Sequence, residues 1–163
     1  KEFDLKNYQP KDNASVIVVE SVEKPGNLGA ILRSCEAFGI DALIVTDSRV
    51  DFYNPNVLRS SVGCFFGMNV FSATNEETLA FLQENSFKIY TTFMDETAED
   101  LYNKNFNEKS ALFFGTEHSG LSDFWLHKGE NILIPMSGTI DSLNLSNAVA
   151  ISCYEILRQK LSK

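Results

Sequence analysis

Hydrophobic and polar positions along this chain follow two periods, and the switches between them mark out its elements. Residues 15–19 (SVIVV), 42–45, 88–93, 111–114 and 132–134 are short apolar runs bounded by Gly, Pro or polar residues, which predicts buried strands. Residues 68–71 add another short strand. From about Asn27 the apolar residues Leu28, Ile31, Leu32, Cys35 and Phe38 recur at helical spacing, and Gly39 ends the run. Helices are also predicted at 54–62 with Pro55 in the first turn, at 76–84, at 121–127, and from Asn144 to about Lys160. Strands alternating with helices imply an α/β fold, a mainly parallel sheet with helices on both faces. Residues 1–14 are polar and unpatterned and read as an arm or linker.

Composition narrows this picture. The chain has 163 residues, 44% of them hydrophobic and 13 of them Phe, enough for one well-filled core. No apolar run approaches the roughly 20 residues needed to span a bilayer, so no membrane partner is expected. Cys35, Cys64 and Cys153 form no CxxC pair and lie in apolar contexts, which fits a reducing, cytoplasmic setting. With two histidines and no Cys pair, no structural zinc is expected. The net charge of −8 argues against general phosphate affinity and leaves room for a local basic patch. The acidic run at 95–100 (DETAED) reads as a solvated loop.

Candidate chemistry sits where predicted strands end and helices begin, the place where open α/β sheets bind ligands. The first segment runs from Asn27 to Gly39. Arg33 lies off its apolar stripe among small residues, and its guanidinium suits phosphate, although a solvated helix surface is its bland role. Asn27 reads equally as a helix N-cap. The second segment is Gly115-Thr-Glu117-His-Ser-Gly120-Leu121, in which Gly permits close approach of a ligand to the backbone. It is neither a P-loop nor GxGxxG. Glu117 is the carboxylate at the strand end, and starting the next helix is its alternative role. The third is the loop from Ile134 to Asn144, where Ser142 and Asn144 offer hydrogen bonds; Asn144 also suits an N-cap. The last helix is apolar around much of its circumference, which suggests burial against two neighbours, one of them a second copy of the chain.

Together these segments resemble the motifs of the SPOUT superfamily of RNA methyltransferases, in its TrmH (SpoU) branch. The first motif is present as Asn27, Gly29 and Arg33 with Ala37 and Gly39, and the second as Gly115, Glu117, Gly120 and Leu121. The third is present as Ile134, Pro135, Met136, Ser142, Leu143, Asn144 and Ser146; residues 54–63 are similar to the family too.

The resemblance implies a C-terminal deep trefoil knot, a dimer built through the C-terminal helix and knot region, and an active site between subunits. It implies S-adenosylmethionine as cofactor, with no metal. Gly115, Ile134, Met136 and Leu143 would hold it, and Asn27, Arg33, Glu117, Ser142 and Asn144 would form the catalytic region. The implied reaction methylates a ribose 2′-hydroxyl of rRNA or tRNA. Arg33 would hold phosphate and stabilise developing charge, and Glu117 or a water would accept the proton. Residues 15–163 would be the methyltransferase domain, and 1–14 resemble the linker after an N-terminal RNA-binding domain. The alternative is a non-catalytic RNA-binding module that retains the knotted fold. A small dehydrogenase is disfavoured by the absence of GxGxxG after the first strand.

Overall fold

A computed structural model describes residues 4–48, 50–52, 54–60, 63 and 67–163. A seven-stranded, wholly parallel sheet forms the centre: β1 (Ser15–Glu20), β2 (Ala42–Thr46), β3 (Asn69–Ala73), β4 (Lys88–Thr91), β5 (Glu99–Asp100), β6 (Ser110–Phe114) and β7 (Glu130–Leu133). Their order across the sheet is β3-β2-β1-β6-β4-β7-β5. The helices are α1 (Pro25–Ala37), α2 (Pro55–Ser60), α3 (Asn75–Glu84) and α4 (Leu145–Leu161).

Alternation along the strands divides the core in two. Ile17 and Val19 of β1, with Leu112 and Phe114 of β6, pack under Leu28, Ile31, Leu32 and Cys35 of α1 and Val149, Cys153 and Ile156 of α4. Val16, Val18, Ala111 and Phe113 point the other way, onto Phe81 and Leu82 of α3 and onto Trp125. A strand that is buried on both faces needs apolar residues at every position, which is why β1, β2 and β6 read as continuous runs.

Several expectations change. The helix expected at 121–127 is a single 3-10 turn at Asp123–Trp125. The chain leaves the turn at Leu126 (φ −56°, ψ 132°), His127 turns left-handed (φ 61°), and Gly129 then passes Ile89 so closely that an added Cβ would lie 2.6 Å from its side chain. The strand expected at 88–93 ends at Thr91. The acidic loop at 95–100 is built into the fold: Glu99 and Asp100 form β5 against Ile132 and Leu133, and Asp95 accepts from Asn131 Nδ2 at 2.8 Å. The polar segment before β1 is docked, with Leu5 buried and the Tyr8 ring 5.2 Å from that of Phe71. Cys35 and Cys153 are buried and free, whereas Cys64 lies outside the described residues, as do the last two positions of the helix expected at 54–62.

Candidate active site

The site is built at the carboxyl ends of the central strands. β1 and β6 are neighbours, with Ser15 paired to Ser110 and Val19 to Phe114, so the segments that follow them emerge side by side. After β1 comes the start of α1, and after β6 comes the loop that carries Glu117. The loop between β7 and α4 closes the third side.

Two glycines shape the middle segment. A Cβ on Gly115 would lie 2.0 Å from the carbonyl carbon of Gly120 and 2.2 Å from the Leu121 nitrogen. Gly120 itself is left-handed, with φ 65°. The loop between them closes on itself: Gly120 N–H donates to Thr116 O at 3.0 Å and Thr116 N–H to Gly120 O at 3.3 Å. Glu117 therefore projects from a fixed turn. Glu20, buried at the end of β1, anchors the exit of this loop by accepting from Ser122 N–H at 2.7 Å and Ser122 Oγ at 2.6 Å. It also accepts from Asn75 Nδ2 at 2.8 Å.

The Glu117 carboxylate gathers the three segments. Its Oε1 accepts from Asn144 Nδ2 at 2.6 Å and, at 3.4 Å each, from Asn27 Nδ2 and Leu145 N–H. Its Oε2 receives the Lys24 ammonium at 3.3 Å. Asn144 also reaches Asn27 Oδ1 at 3.5 Å. Lys24, then the Leu145 amide, hold the Glu117 carboxyl below its ordinary range. Asn27 is not an N-cap: α1 starts two residues before it and Lys24 occupies the capping position. Asn144 is both an N-cap and a partner of Glu117, because its Oδ1 accepts from Ser146 N–H at 2.9 Å while Nδ2 faces the carboxylate.

Beside this cluster opens a cavity of about 410 Å³. Gly115, Glu117, Ile134, Met136, Ser142 and Leu143 all border it, so the four residues expected to hold the cofactor, Gly115, Ile134, Met136 and Leu143, are brought to one place. Phe114, Leu121, Ile132, Leu145 and Ala148 supply apolar walls. Thr92, Phe93 and Met94, just past β4, line it too and were not singled out by the sequence. Their signal was their place after a strand end, legible only once β4 is known to lie between β6 and β7. Arg33 stands apart. It is exposed on α1, six residues beyond Asn27 and thus about 9 Å further along the axis, and no hydrogen bond or ion pair joins it to the described residues of the cluster. Among the described residues no three His, Cys, Asp or Glu side chains are grouped to hold a metal ion. Nor is any described helix long and apolar enough to cross a membrane.

A glycine-shaped loop and a converging Asn–Glu–Asn cluster beside an apolar cavity, at the carboxyl ends of parallel strands, are features of a small-molecule site on an α/β sheet. Residues 14–154 match the SpoU rRNA Methylase family, and the chain belongs to that family. It is 36% identical to an uncharacterized tRNA/rRNA methyltransferase of Borreliella burgdorferi over 98% of its own length and 71% of that protein. It is 32% identical to the 23S rRNA (guanosine-2′-O-)-methyltransferase RlmB of Haemophilus ducreyi, over 99% of this chain and 67% of that one. Among solved structures, the SpoU methyltransferase AviRb of Streptomyces viridochromogenes, in complex with the cofactor AdoMet, superposes with a TM-score of 0.89 at 29% identity. That match covers 98% of this chain and 62% of AviRb, so these relatives are longer than the chain that matches them.

Proposed function

We propose that this chain is the catalytic domain of an S-adenosylmethionine-dependent RNA methyltransferase that methylates a ribose 2′-hydroxyl of rRNA or tRNA in the cytoplasm. The observation that carries the reading is the apolar cavity bordered by Glu117, with Asn27 and Asn144 held on that same carboxylate, in a chain of the SpoU family. RlmB of Haemophilus ducreyi bears the matching activity in its name, and AviRb was crystallised with this cofactor.

The residues present fit the cofactor. Apolar walls from Phe114, Leu121 and Ile132 suit an adenine ring, and the backbone of Gly115, Ile134 and Leu143 offers polar atoms at the rim, with Met136 beside them. The Glu117 and Asp141 carboxylates suit its positive charge. When bound, S-adenosylmethionine supplies a methyl group already activated by a sulfonium, so no metal is required for the chemistry.

The chain's own part is orientation and charge. Both oxygens of Glu117 are engaged, and its carboxyl is held below the usual range, which makes it a poor proton acceptor and a good organiser of Asn27 and Asn144, so the proton of the 2′-hydroxyl passes to a water. Ser142, on the cavity wall, offers a hydroxyl to the substrate. The Arg33 guanidinium stays protonated and serves to bind phosphate and stabilise negative charge on the 2′-oxygen. Because it lies away from its own cluster, Arg33 acts across a homodimer, completing the partner's site. The exposed Ile151 and Tyr154 of α4 belong to that dimer face. The trefoil knot of the family is part of this proposal, as is an N-terminal RNA-binding domain for which residues 1–14 are the linker.

Calorimetric titration with S-adenosylmethionine and S-adenosylhomocysteine tests it. The expected result is saturable binding of one ligand per chain, followed by loss of specific 2′-O-methyl marks in RNA from cells lacking the protein. A folded dimer that binds neither ligand, alone or with RNA, would overturn the reading in favour of a non-catalytic RNA-binding module.

A further inference from the structure

Lys24 occupies a position where a lysine is locally unfavourable. It is the N-cap of α1, followed by Pro25, and makes no capping hydrogen bond with its side chain. Helix N-termini favour Ser, Thr, Asp or Asn as caps and disfavour positive charge. A break of a local rule of this kind points to a use elsewhere. The Lys24 ammonium reaches across to Glu117 Oε2 at 3.3 Å, while its side chain remains 68% exposed. An exposed pair adds little to stability, so holding the fold together does not account for it.

The geometry of the carboxylate does. Oε2 is engaged by Lys24, and the donors of the other segments, Asn27 Nδ2, Asn144 Nδ2 and Leu145 N–H, all converge on Oε1. Leu145 is the first residue of α4 and Asn27 lies in the first turn of α1. Glu117 thus stands at two helix N-termini at once. With Lys24 on Oε2 the carboxylate is held at both oxygens; without it only Oε1 is held, and the plane of the group can swing about the donors shared by the two asparagines.

We infer that Lys24 is a positioning residue of this site, fixing the rotation of the Glu117 carboxylate so that Oε1 holds Asn27 and Asn144 together. The contact itself does not depend on the methyltransferase reading; its effect on rate does. Among the described residues, the other ionisable side chains that line the cavity beside Glu117 are His118, next in its own loop, and Asp141, from the loop before α4.

The test compares Lys24→Met and Lys24→Arg with the unaltered protein by carbon-13 titration of the Glu117 carboxyl and by the pH dependence of methyl transfer. In Lys24→Met the Glu117 titration should move to higher pH, the side-chain amide signals of Asn27 and Asn144 should shift, and kcat should fall roughly tenfold with its acid limb moved upward. Lys24→Arg should restore all of these. An unmoved carboxyl titration in Lys24→Met overturns the inference whether or not the protein transfers methyl groups. A moved titration with an unchanged rate and pH profile overturns the positioning role. Absence of methyl transfer in the unaltered protein defeats the functional reading instead, and the titration and amide shifts still decide whether Lys24 positions Glu117.

Discussion

Asn144 divides its amide between two tasks: Nδ2 donates to Glu117 Oε1 at 2.6 Å, and Oδ1 caps α4 by accepting from Ser146 N–H. The two tasks are separable by substitution. Asn144→Ser keeps a capping oxygen and loses the amide donor, so its unfolding free energy should stay within about 0.5 kcal/mol of the unaltered protein. Its methyl transfer should fall at least about tenfold. Asn144→Ala should lose the cap as well, and with it about 1 kcal/mol in urea unfolding.

Gly115 has no room for a side chain. In Gly115→Ala the new methyl would meet the Gly120 carbonyl carbon at 2.0 Å, forcing the Glu117 loop outward. Overpacking of this kind costs about 1–3 kcal/mol. Calorimetry should show cofactor binding weakened at least about tenfold, because the same backbone lines the cavity. Gly138→Ala is the control, since nothing lies within 4 Å of where its methyl group would stand.

Glu20 offers acceptors to Ser122 and Asn75 from a buried position. Glu20→Gln turns an NH₂ group toward those donors. A loss of about 1–3 kcal/mol in urea unfolding is expected, together with weaker cofactor binding because the exit of the Glu117 loop is released.

The acid limit of the site follows from Glu117. Its folded carboxyl titrates below the ordinary range, chiefly through the hydrogen bond from Lys24. The charged cluster is therefore fully present above the ordinary carboxylate pKa and is lost as pH falls through the lowered value. Cofactor affinity measured by calorimetry should be flat from neutrality down to the ordinary carboxylate range and decline only below it.

Cys35 and Cys153 face each other inside the α1–α4 packing, fully buried, and each other's proximity together with burial pushes the Cys35 thiol well up. Neither should react with a maleimide under native conditions, as read by peptide mass mapping, and both should react in urea.

The sequence displayed the elements whose burial is periodic. The strands β1, β2 and β6 and the helices α1, α3 and α4 all carry a clear apolar repeat. β5 was illegible because Glu99 and Asp100 are polar and owe their strand geometry to pairing with β7 alone. The docking of residues 5–8 rests on two side chains, Leu5 and Tyr8, too few to make a pattern. At the site, the motifs picked out Asn27, Glu117 and Asn144 one by one but not that one carboxylate joins them, since that depends on β6 lying beside β1. Lys24 was hidden for another reason: its partner is far along the chain, and in sequence it is only the residue before a proline.

The adjacency of β1 and β6 also sets a timetable. Ser15 pairs with Ser110, so almost the whole of the intervening chain must be made before the central sheet closes. Non-local pairings of this kind are slow to form. Glu117 and Asn144 come later still, so a growing polypeptide has no such pocket until α4 begins. A ligand of that pocket recognises only chains made at least as far as α4, and by mass action it protects them from unfolding while offering nothing to shorter ones.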